Sequence, residues 1–163
     1  MTTDGEYQLN DFEKALFGED ELGAVVRGTI HVETKLLELI GLLVEDESYI
    51  RRLNLDFSQH VNLAVALGLN AEYAKGLRAF GKLRNDFAHK LDTVLSKERV
   101  HSLYEALASR EKHLVQQSYL LTDDPKPPFN DLPPKDQFVY IAVALHTLLE
   151  IVLGETTMGQ DMS

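Results

Sequence analysis

The chain has 163 residues, about the size of one domain, and 44% of them are hydrophobic, enough for a sizeable core. It contains no cysteine, which excludes a disulfide, a thiolate metal site and a cysteine nucleophile, and which fits a reducing cytosol. A formal net charge of −10 argues against a protein that serves mainly to neutralise DNA phosphates. Because the acidic N-terminus has no basic n-region, we expect no signal peptide and a cytoplasmic protein.

The hydrophobic periodicity shows no strand-like alternation of useful length, so it predicts an all-α, single-domain bundle of about six helices. The predicted helices span about residues 9–17, 20–45, 58–68, 71–90, 97–121 and 135–153. The third is expected to begin at Ser58 as N-cap and to end near Gly68. The sixth is expected to follow Pro133 and Pro134 and to stop at Gly154.

The predicted organisation has five parts. Residues 1–19 form an N-terminal segment with a short helix, and residues 20–121 form the core bundle. All five prolines lie in "DDPKPPFNDLPP", which predicts a loop over residues 122–134. The apolar helix over 135–154 is expected to complete the same domain, and residues 155–163 to form a flexible tail. Since its most apolar stretch, residues 138–154, is short for a bilayer span and contains His146 and Glu150, we expect a buried helix and no membrane association.

The second predicted helix carries a carboxylate near the middle of its apolar face. At 100° per residue, Glu33 falls among Leu22, Val25, Val26, Thr29, Ile30, Leu36, Leu37, Ile40, Leu43 and Val44. The fourth predicted helix offers an opposite charge, because Arg84 projects onto its apolar face. A buried charge is costly unless it is paired, so we predict an ion pair between Glu33 and Arg84, either structural or functional. The alternatives are that each charge meets another partner or extends to water.

Two further polar residues follow in "LRNDFAHKL", residues 83–91. Asn85 and His89 are four apart and share a face, whereas His89 is about 140° around a regular helix from Arg84. A site that needs Arg84 and His89 together therefore requires a distortion, a helix end near residue 88 or a second chain. We expect a polar cluster of Glu33, Arg84, Asn85 and His89 with the amide and the imidazole near its rim.

The segment from 70 to 90 is locally basic within the acidic chain. The run "HVNLAVALGLNAEYAKGL", residues 60–77, is similar to a helix-turn-helix whose second helix would offer Lys75 and Arg78 to DNA. Two helices packed around a glycine turn give the same pattern, so direct DNA binding stays a third hypothesis. The six histidines include no pair spaced three or four apart, so we expect no metal site, and nothing in the sequence suggests a cofactor.

The run "DFSQHVNLAVALGLNAEYAKGLRAFGKLRNDFAHKL", residues 56–91, resembles the bacterial mannitol-operon-repressor (MltR) family. In that family, an apolar helix ending in "ALGL" precedes a helix that ends in an Arg-Asn-x-Phe-Ala-His type sequence. The resemblance covers roughly residues 20–120. It implies an all-helical cytoplasmic transcriptional regulator without a recognised DNA-binding module, so we expect regulation through a protein partner. The nearly uniform apolar character of the sixth helix further suggests a homodimer that covers it.

The same "RNDFAH" is similar to the Arg-x4-His signature of HEPN domains, some of which are RNA-cleaving toxins. This resemblance implies Arg84 and His89 as the reactive pair, with Asn85 as a polar neighbour. The histidine would act as general acid or base toward a ribose 2′-hydroxyl, and the arginine would hold the phosphate. A dimer would bring two such motifs to one cleft. A metal-independent ribonuclease is therefore the alternative to a non-enzymatic regulator.

Overall fold

A computed structural model describes residues 11–90, 93–121 and 126–162 of the chain. These ranges contain eight α-helices and no strand, which confirms the predicted all-α fold with more helices than expected. The helices are α1 (Asp11–Phe17), α2 (Glu21–Leu43), α3 (Glu47–Arg52), α4 (Phe57–Ala66), α5 (Ala74–His89), α6 (Lys97–Ala106), α7 (Ser109–Leu120) and α8 (Pro134–Asp161). Short 3-10 turns precede α5 and α8 at Ala71–Tyr73 and Phe129–Asp131.

Helices α2 and α8 pack against each other and form the centre of the bundle. They approach closely at Gly28, where an added Cβ would lie 3.3 Å from both the Ala142 Cβ and the Phe138 ring. Helix α7 packs on α8, while α4 and α5 pack on α2. The ring of Phe80 on α5 stacks on Phe138, with the centroids 5.3 Å apart and the planes 4° from parallel. Small residues and one aromatic stack therefore set the positions of the central helices.

Helix α8 is the buried helix that its sequence predicts, but it is longer. Residues 137–145 are buried without interruption, because α2 and α7 of the same chain cover them. The helix continues through Gly154 to Asp161, so the predicted end at Gly154 is wrong, and residues 155–161 are helical rather than a tail. By length and composition α8 could cross a membrane, but 61% of its most apolar window is buried, as in a core helix.

The buried face of α2 is rotated relative to the predicted one. It consists of Ala24, Val25, Gly28, Thr29, Val32, Leu36, Leu39 and Ile40. Leu22, Ile30 and Leu37, which were assigned to the core, are 52%, 56% and 37% exposed. Small residues face α8 because they allow the two helices to approach closely, and a pattern based on large apolar side chains gives them no weight. We call the exposed set of Leu22, Ile30 and Leu37 the outer α2 stripe.

The predicted fifth helix is divided into α6 and α7. The backbone is extended at Leu107 and Ala108, and the Glu111 side chain accepts a hydrogen bond from the Ala108 N–H at 3.0 Å. One N-cap and one additional helix also differ from the prediction. Asp56, rather than Ser58, caps α4, and the short helix α3, capped by Asp46, was missed. These differences leave the order and faces of the larger helices largely as predicted, apart from the rotation of α2.

Glu111 is fully buried at the contact between α7 and α5. One carboxylate oxygen caps α7, whereas Oε2 is buried without a hydrogen-bond partner. An added Cβ at Gly76 would lie 2.9 Å from Oε2, so the carboxylate faces the backbone of α5. Burial raises the pKa of the Glu111 carboxyl from 4.5 to about 7. Below pH 7 the native state therefore favours the protonated acid.

We predict that Glu111→Gln removes part of the pH dependence of stability. Because the folded pKa lies above the unfolded one, the unfolded chain releases this proton first as the pH rises, and stability falls between pH 4.5 and 7. The expected loss from this group is up to about 3 kcal/mol. Glutamine stays neutral and keeps an oxygen for the Ala108 N–H. Urea unfolding at several pH values should give a flatter profile for the variant, with the exposed Glu105→Gln as control, and parallel profiles would contradict the assignment.

Candidate functional site

The predicted ion pair between Glu33 and Arg84 does not form. Arg84 is exposed and Glu33 is half-buried, and no ion pair within 4.0 Å joins them in the described part of the chain. Arg84 Nη1 instead donates a hydrogen bond to Asn85 Oδ1 at 3.3 Å. The prediction of a buried pair is therefore wrong, and the four-residue polar cluster is reduced to a contact between Arg84 and Asn85.

The last turn of α5 extends beyond the core, which explains why Arg84 is exposed. Its angular position on the helix is the predicted one, between Leu77 and Phe80, and both of those residues are fully buried. Leu83 is the last fully buried side chain of the helix, and Phe87 is only half-buried. On α2, Glu33 lies at the border of a buried face that is centred near Val32. Periodicity predicted the angle of Arg84 but not where the core ends along α5, and for Glu33 it predicted the wrong buried face of α2.

One side of α5 carries a regular row of exposed polar side chains, which we call the outer α5 face. It consists of Lys75, Arg78, Lys82, Asn85 and His89. Their spacing of three and four residues places them on one line about 21 Å long. The helix ends at His89, one of the conditions that the sequence set for bringing Arg84 and His89 together. Even so, Arg84 projects from a different side of α5, so the monomer does not bring the two side chains onto one face.

In the described ranges, the cations of the outer α5 face have no acidic partners. Within the described residues, no carboxylate lies within 4.0 Å of Lys75, Arg78 or Lys82. Arg78 donates to Asn62 Oδ1, with Nε at 3.2 Å. The neighbouring acid Asp86 is engaged on its other side by Arg99 at 3.0 Å. A row of positive charge is therefore open to solvent on an acidic protein.

A groove runs beside this face, between α5 and α6, with a volume of about 340 Å³. Ala79, Leu83 and Leu103 form its apolar wall, and Lys82 and Arg99 lie on it as cations. Lys82 therefore belongs both to the outer α5 face and to the groove. Arg84 and His89 are not among the lining residues. The groove can receive an apolar side chain next to a positive charge.

The residues for other chemistries are not assembled in the described part of the chain. No group of three or more histidine, aspartate or glutamate side chains could hold a metal ion there. His89 is exposed at the end of α5, and the exposed Asn85 shares its face. The structure therefore offers Arg84 and His89 to solvent or to a second chain, rather than within a cleft of one chain.

Comparisons with protein-family models, with curated proteins and with solved structures find no match for this chain. The resemblance of residues 56–91 to the MltR family, and of residues 84–89 to the HEPN signature, is thus carried by the quoted motifs alone. Function has to be argued from the surfaces that the fold presents.

Sequence reasoning found part of the outer α5 face. It identified Lys75 and Arg78 as a possible DNA contact, and Asn85 and His89 as sharing one side of a helix. It did not join the two pairs through Lys82 into one row, although the spacing of 75, 78, 82, 85 and 89 is readable in the sequence. The groove could not be found in this way, because it depends on the packing of α6 against α5.

We predict that Glu33→Ala and Arg84→Ala each change the free energy of unfolding by no more than about 0.5 kcal/mol, because neither breaks a buried pair. Val32→Ala is the neighbouring control, and loss of its fully buried side-chain atoms should cost about 1–3 kcal/mol. Urea unfolding followed by circular dichroism measures all three. If both charge variants instead lose several kcal/mol, and the loss in the double variant is not the sum of the two, Glu33 and Arg84 do form a buried pair.

Proposed function

We propose that this chain is a cytoplasmic regulatory protein that acts in transcription control through protein contacts, as the MltR-like motif implies. The observation that carries the proposal is the outer α2 stripe, whose three large apolar side chains are 37–56% exposed. Ile30 and Leu37 lie about 20° apart on α2, while Leu22 is exposed at the start of the helix. Exposed apolar residues bordered by charged ones are typical of protein-binding surfaces. Here Arg27 and Glu38 are exposed on the same helix. A contact function needs only such surfaces and no assembled reaction centre.

We further propose that the outer α2 stripe joins two copies of the chain. The first reason to expect a homodimer, an uncovered sixth helix, no longer applies, because α2 and α7 of the same chain cover α8. The stripe supplies another reason, since it is self-complementary. A twofold axis near Ile30 would pack Ile30 on its own copy and place Leu22 of one chain near Leu37 of the other. Both ends of the stripe would then be covered at once.

Ile30→Asp should shift the protein from dimer to monomer. Ile30 lies at the centre of the proposed contact, so its replacement brings two carboxylates together across the twofold axis. Sedimentation velocity at micromolar concentration measures the change. The matched control is Leu120→Asp, which introduces the same charge at an exposed leucine on α7 (74% exposed) and should leave the dimer intact. A wild-type monomer, or equal behaviour of the two variants, would refute the contact.

A metal-independent ribonuclease is the second candidate, and one observation favours it. Helix α5 ends at His89, and Arg84, Asn85 and His89 are all exposed in its last turns. Two such helix ends could meet in an assembly and combine their arginine and histidine side chains around one phosphate. The net charge of −10 opposes a polyanionic substrate, which is why we place this candidate second.

For the regulatory protein, we expect no His89-dependent cleavage of labelled RNA in the presence of EDTA. Wild-type protein, Arg84→Ala, His89→Ala and the control His101→Ala, an exposed histidine on α6, are incubated side by side. Equal cutting, or none, agrees with the regulatory proposal. Cleavage that is lost in both motif variants and kept in His101→Ala would establish the ribonuclease instead.

A further inference from the structure

We infer that the outer α5 face and its groove bind an acidic peptide segment of a partner protein, with one apolar side chain of that segment in the groove. The inference rests on the proposed function for its biological role, since it supplies the chemistry of the regulator's partner. Its binding surface is separate from the outer α2 stripe. Each can therefore be tested without the other.

The first support is that, within the described residues, the cations of the outer α5 face have no acidic partner. The chain has 26 acidic and 16 basic residues, so carboxylates are abundant. Some of them form local ion pairs, as Glu19 does with Arg27 and Glu105 with Lys112. Along the outer α5 face, the described structure leaves Lys75, Arg78 and Lys82 without any carboxylate within 4.0 Å. An external row of carboxylates would complete the surface.

The second support is the groove, which is independent of the charge pattern. Its volume of about 340 Å³ lies within the range of ligand sites, and three of its lining residues are aliphatic. Lys82 lies on both surfaces, so a segment bound along the outer α5 face passes the mouth of the groove. An apolar side chain next to a carboxylate satisfies both features. A duplex places its phosphates outward and its bases inside the stack, so it has no apolar group to place there.

The charges around the groove also favour a peptide over a nucleic acid. Asp86 and Glu98 line the same groove as Lys82 and Arg99. Two cations and two acids leave the groove without net charge, so it suits a neutral apolar side chain, while the anionic groups of the ligand lie along the outer α5 face. A peptide can alternate carboxylates with neutral side chains. The length of the outer α5 face, about 21 Å, corresponds to about 14 helical residues or about six extended ones.

The test uses the full chain and four fluorescent probes at physiological salt. The first is a glutamate-rich peptide of about 14 residues with one central leucine, matched to the face in length. The second replaces that leucine by glutamine. The other two are single-stranded and duplex DNA of equal charge. We expect fluorescence anisotropy to show the leucine peptide binding most tightly, because it alone can use both the cations and the groove.

The charge arm compares two variants with the same change in net charge. Lys75→Glu with Lys82→Glu should weaken the leucine peptide about tenfold or more, because two attractive contacts become repulsive. Lys14→Glu with Arg51→Glu makes the same change on α1 and α3, and should leave binding nearly unchanged. All four positions are exposed, so circular dichroism should report intact folds.

The groove arm uses Ala79→Met, which fills the apolar wall with a longer side chain. In this variant, the leucine peptide should bind no better than the glutamine peptide, while its dependence on Lys75 and Lys82 remains. If Ala79→Met instead prefers the leucine peptide over the glutamine peptide by the same ratio as the wild type, the groove is not part of the binding site.

Three outcomes would overturn the inference. They are no binding of the leucine peptide, equal binding by both charge variants, and tighter binding of either DNA probe. The last would make the outer α5 face a nucleic-acid surface. None of these results changes the sedimentation of Ile30→Asp, so failure here is distinguishable from failure of the proposed α2 contact.

Discussion

The close contact of α2 with α8 determines which surfaces the molecule presents. Gly28 leaves only 3.3 Å between a would-be Cβ and the Ala142 side chain, so this side of α2 must face α8. With that side fixed, Ile30 and Leu37 point outward although both are strongly apolar. The same contact buries the middle of α8 within one chain. A single steric condition thus removes the need for a partner at α8 and creates an apolar surface on α2.

The orientation of α5 follows from the same centre. Phe80 stacks on Phe138, and Gly81 approaches the Phe57 ring of α4, so two neighbouring positions are held against different helices. The opposite side of α5 is therefore turned to solvent along its whole length. The core ends at Leu83 while the helix continues to His89, which leaves the last turns exposed. Arg84 and His89 are consequently not polar residues that fix helix packing, and packing alone does not account for them.

The sequence contained most of the helices, yet two features escaped it for physical reasons. The rotation of α2 depends on residues without large side chains, and hydrophobic periodicity cannot weigh Gly28 against Ile30. The break before α7 depends on the Glu111 side chain reaching back to the backbone at Ala108, which competes with a continuous helix. Gly68 and Gly154 show the same limit, because only Gly68 has a positive φ, 127°. Glycine permits a helix end but requires one only where the chain turns.

Exposure changes what the motif in residues 83–91 can mean. A residue in the core is constrained by packing, so its identity says little about function, whereas an exposed one is free of that constraint. Lys82, Asn85 and His89 are exposed on the side of α5 that bears Lys75 and Arg78, and Lys82 also borders an apolar groove. The apolar positions of the same helix account for the fold. The polar positions form the surface that the acidic segment of our proposal would contact, with its apolar side chain in the groove beside Lys82.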